Sequence, residues 1–149
     1  MNLNNKPPLA TVIVLAVTGL TTSLHLESPR ILALLERTPD TLARHQWWRL
    51  VTPLFVHADG LRQIAFNSTA ILIVGVIVER IFGSRLWLLI YFVSGIVGEF
   101  AGFAWQPHGA GASVAGAGLL GALAAWLCSS TSGRRQSSAL RSSCSERSL

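Results

Sequence analysis

Four long apolar runs constrain this chain more than any other feature of its sequence. They cover residues 8–26, 61–82, 85–105 and 111–128. A helix needs about 20 apolar residues to cross the hydrocarbon core of a bilayer, and each run is close to that length. Half of the residues are hydrophobic and only 13% are charged, which is unusual for a soluble globular protein. The sequence therefore predicts an all-α polytopic membrane protein with about four transmembrane helices.

The segment between the first two runs, residues 27–60, is more polar. It contains Ser28 followed by Pro29, a pair typical of a helix start, and then a short amphipathic stretch. Trp47 and Trp48 come later in the segment, and tryptophan rings favour the headgroup level of a membrane. We therefore expect residues 27–60 to form a loop that lies in the membrane interface.

The chain changes character again after Cys128. Nine of the last 21 residues are Ser and four are Arg, a composition typical of disordered segments. The prediction is a membrane domain over residues 1–128 and a disordered Ser/Arg-rich tail over residues 129–149.

The basic residues predict the orientation of the chain in the membrane. Most lie in the segments that four helices would place on one side, namely Lys6, Arg80, Arg85, Arg134, Arg135, Arg141 and Arg147. Cytoplasmic segments are enriched in Lys and Arg, so we expect the N-terminus to lie in the cytoplasm. The membrane that we expect is the plasma membrane. Scattered in this way, the basic residues do not indicate a nucleic-acid partner. The two cysteines match no metal or disulfide spacing.

A glycine-rich turn, residues 109–113, opens the last apolar run and ends on Ser113. The start of a helix leaves unpaired N–H groups, which favour developing negative charge, so a serine there is a candidate nucleophile. Gln63 and Asn67 share one face of the second run, and the predicted topology places them at the same depth as Ser113. The alternative is structural, because small residues in membrane helices usually pack and a lone serine usually bonds its own helix.

Two carboxylates fall inside the apolar runs. Glu79 is near the end of the second run, and we interpret it as a structural group that ties helix ends together through hydrogen bonds, since an intramembrane carboxylate is costly without a partner. Glu99 lies beside Ser94, Gly98 and Gly102, whose spacing predicts a seam for close helix packing. No role is assigned to Glu99 from the sequence.

Taken together, these segments resemble the rhomboid family of intramembrane serine proteases. The matching residues are 47–57 (WWRLVTPLFVH), Asn67, Gly75, Glu79, Arg80, Gly83, Ser84, Tyr91, Ser94, Gly95, 111–113 (GAS) and 118–121 (GLLG). The resemblance implies a six-helix core, of which about four helices are present, and cleavage of transmembrane protein substrates near the membrane surface without metal or cofactor. It implies that Ser113 is the nucleophile and Asn67 an oxyanion donor, and that His57 is structural.

Three departures from the family pattern bear on activity. Val114 stands where the family has glycine, and Gln63 stands where it often has histidine, although glutamine can also donate a hydrogen bond. The family's catalytic histidine lies on the sixth helix, and no histidine follows Ser113 in this sequence. The histidines present are His25, His45, His57 and His108. Only His108 is a candidate base, and its loop would have to fold back toward Ser113.

Two functional hypotheses follow, and a third is disfavoured. The first is a serine endopeptidase with Ser113, Asn67 and Gln63 in the site, impaired by the loss of the catalytic histidine. The second is an inactive family member, a truncated or frame-shifted remnant that binds transmembrane helices. An unrelated membrane scaffold is disfavoured by the density of family residues.

Overall fold

The computed structural model describes residues 7–58, 60–106 and 108–146, with the backbone alone for residues 132–146. Its described elements are helical: five α-helices and two short 3-10 turns, joined by loops. In chain order they are α1 (Leu9–Glu27), α2 (Pro29–Leu35), the turns Trp47–Leu50 and Thr52–Phe55, α3 (Gly60–Phe82), α4 (Ser84–Gly102) and α5 (Ser113–Glu146).

Four helices are long and apolar enough to cross a bilayer. They are Leu9–Glu27, Gly60–Phe82, Ser84–Gly102 and the first part of α5, Ser113–Thr131. At 1.5 Å per residue these helices are about 28–35 Å long, which matches the hydrocarbon core. The all-α, multi-pass prediction is confirmed. The main boundary difference in the first three is that α4 ends at Gly102 rather than Trp105, because residues 103–105 form a turn.

The interfacial segment begins as the sequence predicts, with Pro29 in the first turn of α2. Trp47 and Trp48 are exposed on its surface, whereas Leu54 and Val56 are fully buried. The segment therefore inserts apolar side chains into the bundle and turns its tryptophans outward. The sequence also predicts a turn at Asp59 and Gly60 that caps the second apolar run. Asp59 lies outside the described residues.

The core lies between α3, α4 and α5, with α1 against α3. The rings of Trp87 and Tyr91 stack at a centroid distance of 5.2 Å, and the Tyr91 hydroxyl donates to the Leu54 carbonyl at 3.1 Å. Part of the predicted small-residue seam on α4 packs against α5. A Cβ built on Gly118 would lie 2.1 Å from Ser94 Oγ, so the two helices approach closely there.

Glu79 joins three helix ends. Its carboxylate accepts hydrogen bonds from the N–H groups of Ala10 and Thr11, each at 2.8 Å, and from the Thr11 hydroxyl at 2.7 Å. The Ser84 hydroxyl donates to it at 2.6 Å. A carboxylate at the start of α1 satisfies N–H groups that have no partner inside the helix and offsets the helix dipole. The structural interpretation of Glu79 is confirmed.

The last helix does not end at Cys128 as predicted. The backbone of α5 continues to Glu146, through the segment predicted to be disordered. This segment has no proline to stop a helix. The hydroxyls of Ser129, Ser130 and Thr131 each donate to a carbonyl one turn back at 2.8 Å, which fits a helical backbone. The division into a membrane domain and a Ser/Arg-rich tail stays a prediction.

Candidate active site

The site is built on the turn before α5. Gly111 has a φ of 149°, which L side chains rarely adopt, and its N–H donates to the Pro53 carbonyl at 2.8 Å. Ala112 is fully buried behind the turn. These constraints place Ser113, the first residue of α5, with its side chain exposed at the end of the bundle that also carries the interfacial segment.

Gln63 and Asn67 reach the same turn from α3. A Cβ built on Gly111 would lie 3.1 Å from Gln63 Nε2 and 3.8 Å from Asn67 Nδ2. A side chain at position 111 would thus contact both amides and would require the Gln63 amide to shift slightly. Gln63 Nε2 also donates to the Ala110 carbonyl at 3.5 Å. The structure thus brings Ser113, Gln63 and Asn67 together around one turn, as the sequence predicts.

Asn67 is 5% exposed, and its Nδ2 has no hydrogen-bond partner within the described part of the chain. A buried amide donor without a partner is uncommon, because desolvating it costs free energy. The N–H groups of Ser113 and Val114 have no carbonyl partner among the described residues either, as expected for the start of a helix. The turn therefore carries several donors available to an anion.

Ser113 lies between two clefts. A cleft of about 300 Å³ is lined by Gln63, Glu99, Trp105 and Ser113, among others, and its walls are about half polar. A groove of about 230 Å³ between α3 and α5 is lined by Asn67 and Ser113 with mostly apolar neighbours. Ser113 therefore lines both a polar cleft that can hold water and a mostly apolar groove.

Val114 fits beside Ser113 because of Gly98 on α4. A Cβ built on Gly98 would lie 2.1 Å from Val114 Cγ1, so the valine occupies space that any other residue at position 98 would fill. From the sequence we expect the branched side chain of Val114, in place of the family's glycine, to crowd the turn, but in the structure it lies against Gly98. Its branched side chain packs on α4 at the predicted small-residue seam.

The polar cleft also holds an ion pair that the sequence did not predict. Arg37 and Glu99 are each 4% exposed and form a salt bridge, and the Arg37 guanidinium also donates to the Glu99 carbonyl at 3.0 Å. The sequence assigns no role to Glu99 and does not single out Arg37 in the interfacial segment. The available signal was a carboxylate inside an apolar run, which requires a partner.

The model of the Rhomboid domain family matches residues 44–138, which is more than half of the chain. The chain belongs to the rhomboid family. The matched range contains Gln63, Asn67 and Ser113 together with the second half of the interfacial segment.

Several curated rhomboid proteins are similar to this chain. Rhomboid protease GluP of Bacillus subtilis (strain 168) is 48% identical over 83 residues, 55% of this chain and 16% of the relative. Rhomboid-like protease 3 of Toxoplasma gondii is 42% identical over 82 residues, 54% of this chain and 31% of the relative. Chloroplastic RHOMBOID-like protein 9 of Arabidopsis thaliana is 40% identical over 89 residues, 59% of this chain and 20% of the relative. The match spans less than a third of each relative.

The histidines of this rhomboid chain lie away from Ser113. His57 is fully buried, and neither ring nitrogen has a partner within the described ranges. Burial, and then the charge of nearby His25, hold the pKa of His57 below its usual value. His108 shares a different cleft with Arg44. No histidine lines either cleft that contains Ser113 in the described part of the chain.

Among the described residues, no group of three His, Cys, Asp or Glu side chains lies close enough to hold a metal ion. The absence of a cofactor stays a prediction.

Proposed function

We propose that this protein acts as a rhomboid-type intramembrane serine endopeptidase on transmembrane protein substrates. Ser113 is the nucleophile, and Asn67 and Gln63 are oxyanion donors. The observation that carries the proposal is the convergence of both amides on Gly111, one residue before the buried Ala112 and two before Ser113. The apolar groove beside Asn67 suits a substrate helix, and the polar cleft suits water.

The chemistry is acyl transfer. Ser113 Oγ bonds to the scissile carbonyl carbon, and the oxygen becomes an anion that the Asn67 amide, the Gln63 amide and the N–H groups at the start of α5 stabilise. The C–N bond then breaks, the serine proton ends on the leaving amine, and water releases the acyl group. Preorganised donors of this kind contribute about 3 kcal/mol each to transition-state stabilisation.

Proton transfer requires a base within hydrogen-bond reach of the serine. The positions of the four histidines favour a second candidate function, that of an inactive rhomboid whose α3–α5 groove binds transmembrane helices. In both cases we place the protein in the plasma membrane with its N-terminus in the cytoplasm, in contact with lipid and transmembrane clients and without nucleic acid.

Cleavage of a transmembrane reporter tests the two functions against each other. The protein and a single-span reporter are reconstituted in vesicles, and the fragments are sized. The endopeptidase predicts a cut that Ser113→Ala abolishes while the folded fraction is unchanged. Reporter that stays whole but co-purifies with the protein supports the inactive, helix-binding rhomboid.

A further inference from the structure

We propose that Arg37 is a positioning residue for Ser113, acting through the loop that precedes α5. The proposal rests on the proposed function of Ser113 and adds a residue outside the matched family region, which begins at residue 44. Arg37 follows α2 in the interfacial segment, 76 positions before the serine. Its backbone and its side chain both contact the segment between α4 and α5.

The backbone of Arg37 pairs with the glycine turn. Arg37 N–H donates to the Gly109 carbonyl at 2.9 Å, and Gly109 N–H donates to the Arg37 carbonyl at 3.2 Å. This reciprocal pair is a two-residue antiparallel bridge. Two positions later, Gly111 N–H is held by the Pro53 carbonyl at 2.8 Å. The interfacial segment therefore fixes the turn at two points just before Ser113.

The guanidinium of Arg37 joins the end of α4 to the same turn. It forms a salt bridge with the Glu99 carboxylate, donates to the Glu99 carbonyl and donates to the Gln106 carbonyl. Its carbon atom also lies 5.3 Å from the centre of the Phe103 ring. Several donors in one rigid plane let a single arginine hold these groups at once, which an ammonium group does less well.

Two glycines make room for this side chain. A Cβ built on Gly102 would lie 2.4 Å from Arg37 Nη2, and one built on Gly109 would lie 2.6 Å from the same atom. The guanidinium thus lies against bare backbone at the end of α4 and at the turn itself. This close fit explains why a buried charge is tolerated here, since its donors are matched by a carboxylate and by carbonyls.

Arg37 and Glu99 line the same cleft as Ser113. A small shift of the turn would move the first N–H groups of α5 relative to the amides of Gln63 and Asn67. Catalytic stabilisation depends on donors that are already placed. A residue that fixes the turn therefore acts on the reaction rate through the turn and not by contact with substrate.

Hydrogen exchange at the turn tests the proposal directly. The whole protein is reconstituted in nanodiscs, and exchange is measured in peptides covering residues 108–112. In the double variant Arg37→Met with Glu99→Leu, both charges are removed together, which avoids an unpaired buried charge. We expect the Gly109 and Gly111 amides to exchange about tenfold faster, as for the loss of one charge-assisted hydrogen bond. Unchanged exchange in this variant, if folded, overturns the proposal.

Two matched variants separate positioning from general destabilisation. Glu79→Gln weakens the hydrogen bonds at the other end of the bundle and should leave exchange at residues 108–112 as in the wild type. Arg44→Ala removes the exposed ion pair with Asp40 and should have no effect. If the double variant does not fold, Arg37→Lys replaces it, with intermediate exchange expected and wild-type exchange contradicting the proposal.

The reaction rate of Ser113 with a fluorophosphonate links the turn to the nucleophile. We expect the double variant to label about tenfold more slowly than the wild type, with Arg37→Lys in between. Equal labelling rates in folded variants overturn the positioning role. If the wild type does not label, the proposed function fails. The hydrogen-exchange result then decides by itself whether Arg37 fixes the turn.

Discussion

Ser113 differs from Ser94 and Ser23, two other serines of the membrane helices, in what its side chain contacts. Ser94 donates to the Ile90 carbonyl at 2.6 Å, and Ser23 donates to the Gly19 carbonyl at 2.9 Å, both one turn back in their own helices. Ser113 is the first residue of its helix, so no preceding turn offers it a carbonyl. Its hydroxyl makes no hydrogen bond to a described residue. In the proposed function, this position leaves the hydroxyl available to a substrate.

Asn67→Ala is expected to slow the reaction of Ser113 with little effect on folding. The Asn67 amide nitrogen has no partner to lose in the described structure, so truncation leaves no new buried polar group unpaired. Loss of one oxyanion donor lowers the rate about 100-fold. Rates of fluorophosphonate labelling and thermal unfolding are measured on the same preparation. A large drop in stability with an unchanged labelling rate would assign Asn67 to structure instead.

His57 is expected to make the fold sensitive to acid. Burial lowers its pKa in the folded protein relative to the usual 6.5, so the unfolded chain binds the proton more readily. Stability is therefore full above about pH 7 and falls as the pH drops below about 6.5. Unfolding of the wild type and of His57→Gln is compared from pH 7.5 to pH 5. The same pH dependence in both proteins would show that another group is responsible.

At the level of elements, two contacts at opposite ends of the bundle fix the positions of the helices relative to one another. Glu79 ties the starts of α1 and α4 to the end of α3. At the other end, Gly98 on α4 receives Val114 from α5. Because membrane helices gain little from apolar burial alone, close packing and buried hydrogen bonds supply much of their association.

Glu79→Ala is expected to destabilise the bundle by about 3 kcal/mol, because the Ala10 and Thr11 N–H groups and two hydroxyls lose their acceptor. Ser84→Ala removes only one of these donors and should cost about 1 kcal/mol. Reversible unfolding in mixed detergent micelles measures both. Equal losses in the two variants would mean that the carboxylate does not tie the helix ends.

Gly98→Ala is expected to push Val114 away and destabilise the α4–α5 contact by about 1–3 kcal/mol, the usual cost of overpacking. Val114→Ala in the same chain removes the clashing methyl groups and should recover most of the loss. The pair is measured as a double-mutant cycle by unfolding. Additive effects of the two substitutions would contradict direct packing between these positions.

For the whole molecule, the sequence predicts what depends on local pattern. The four spans follow from hydropathy, and the shared face of Gln63 and Asn67 follows from the helical repeat. The structural role of Glu79 could be predicted because a carboxylate inside the membrane needs hydrogen-bond donors. The same reasoning indicates that Glu99 needs a partner, but it does not identify Arg37, which lies 62 positions away in the sequence. The fit of Val114 against Gly98 likewise depends on a neighbour that no local signal specifies.

The central claim is that Ser113 is an activated serine within this membrane bundle. Labelling of the membrane-embedded protein with a fluorophosphonate, wild type against Ser113→Ala, tests it most directly. The claim predicts labelling of the wild type that disappears in Ser113→Ala while both proteins unfold at the same temperature. No labelling of folded wild-type protein, or equal labelling of the variant, would contradict it.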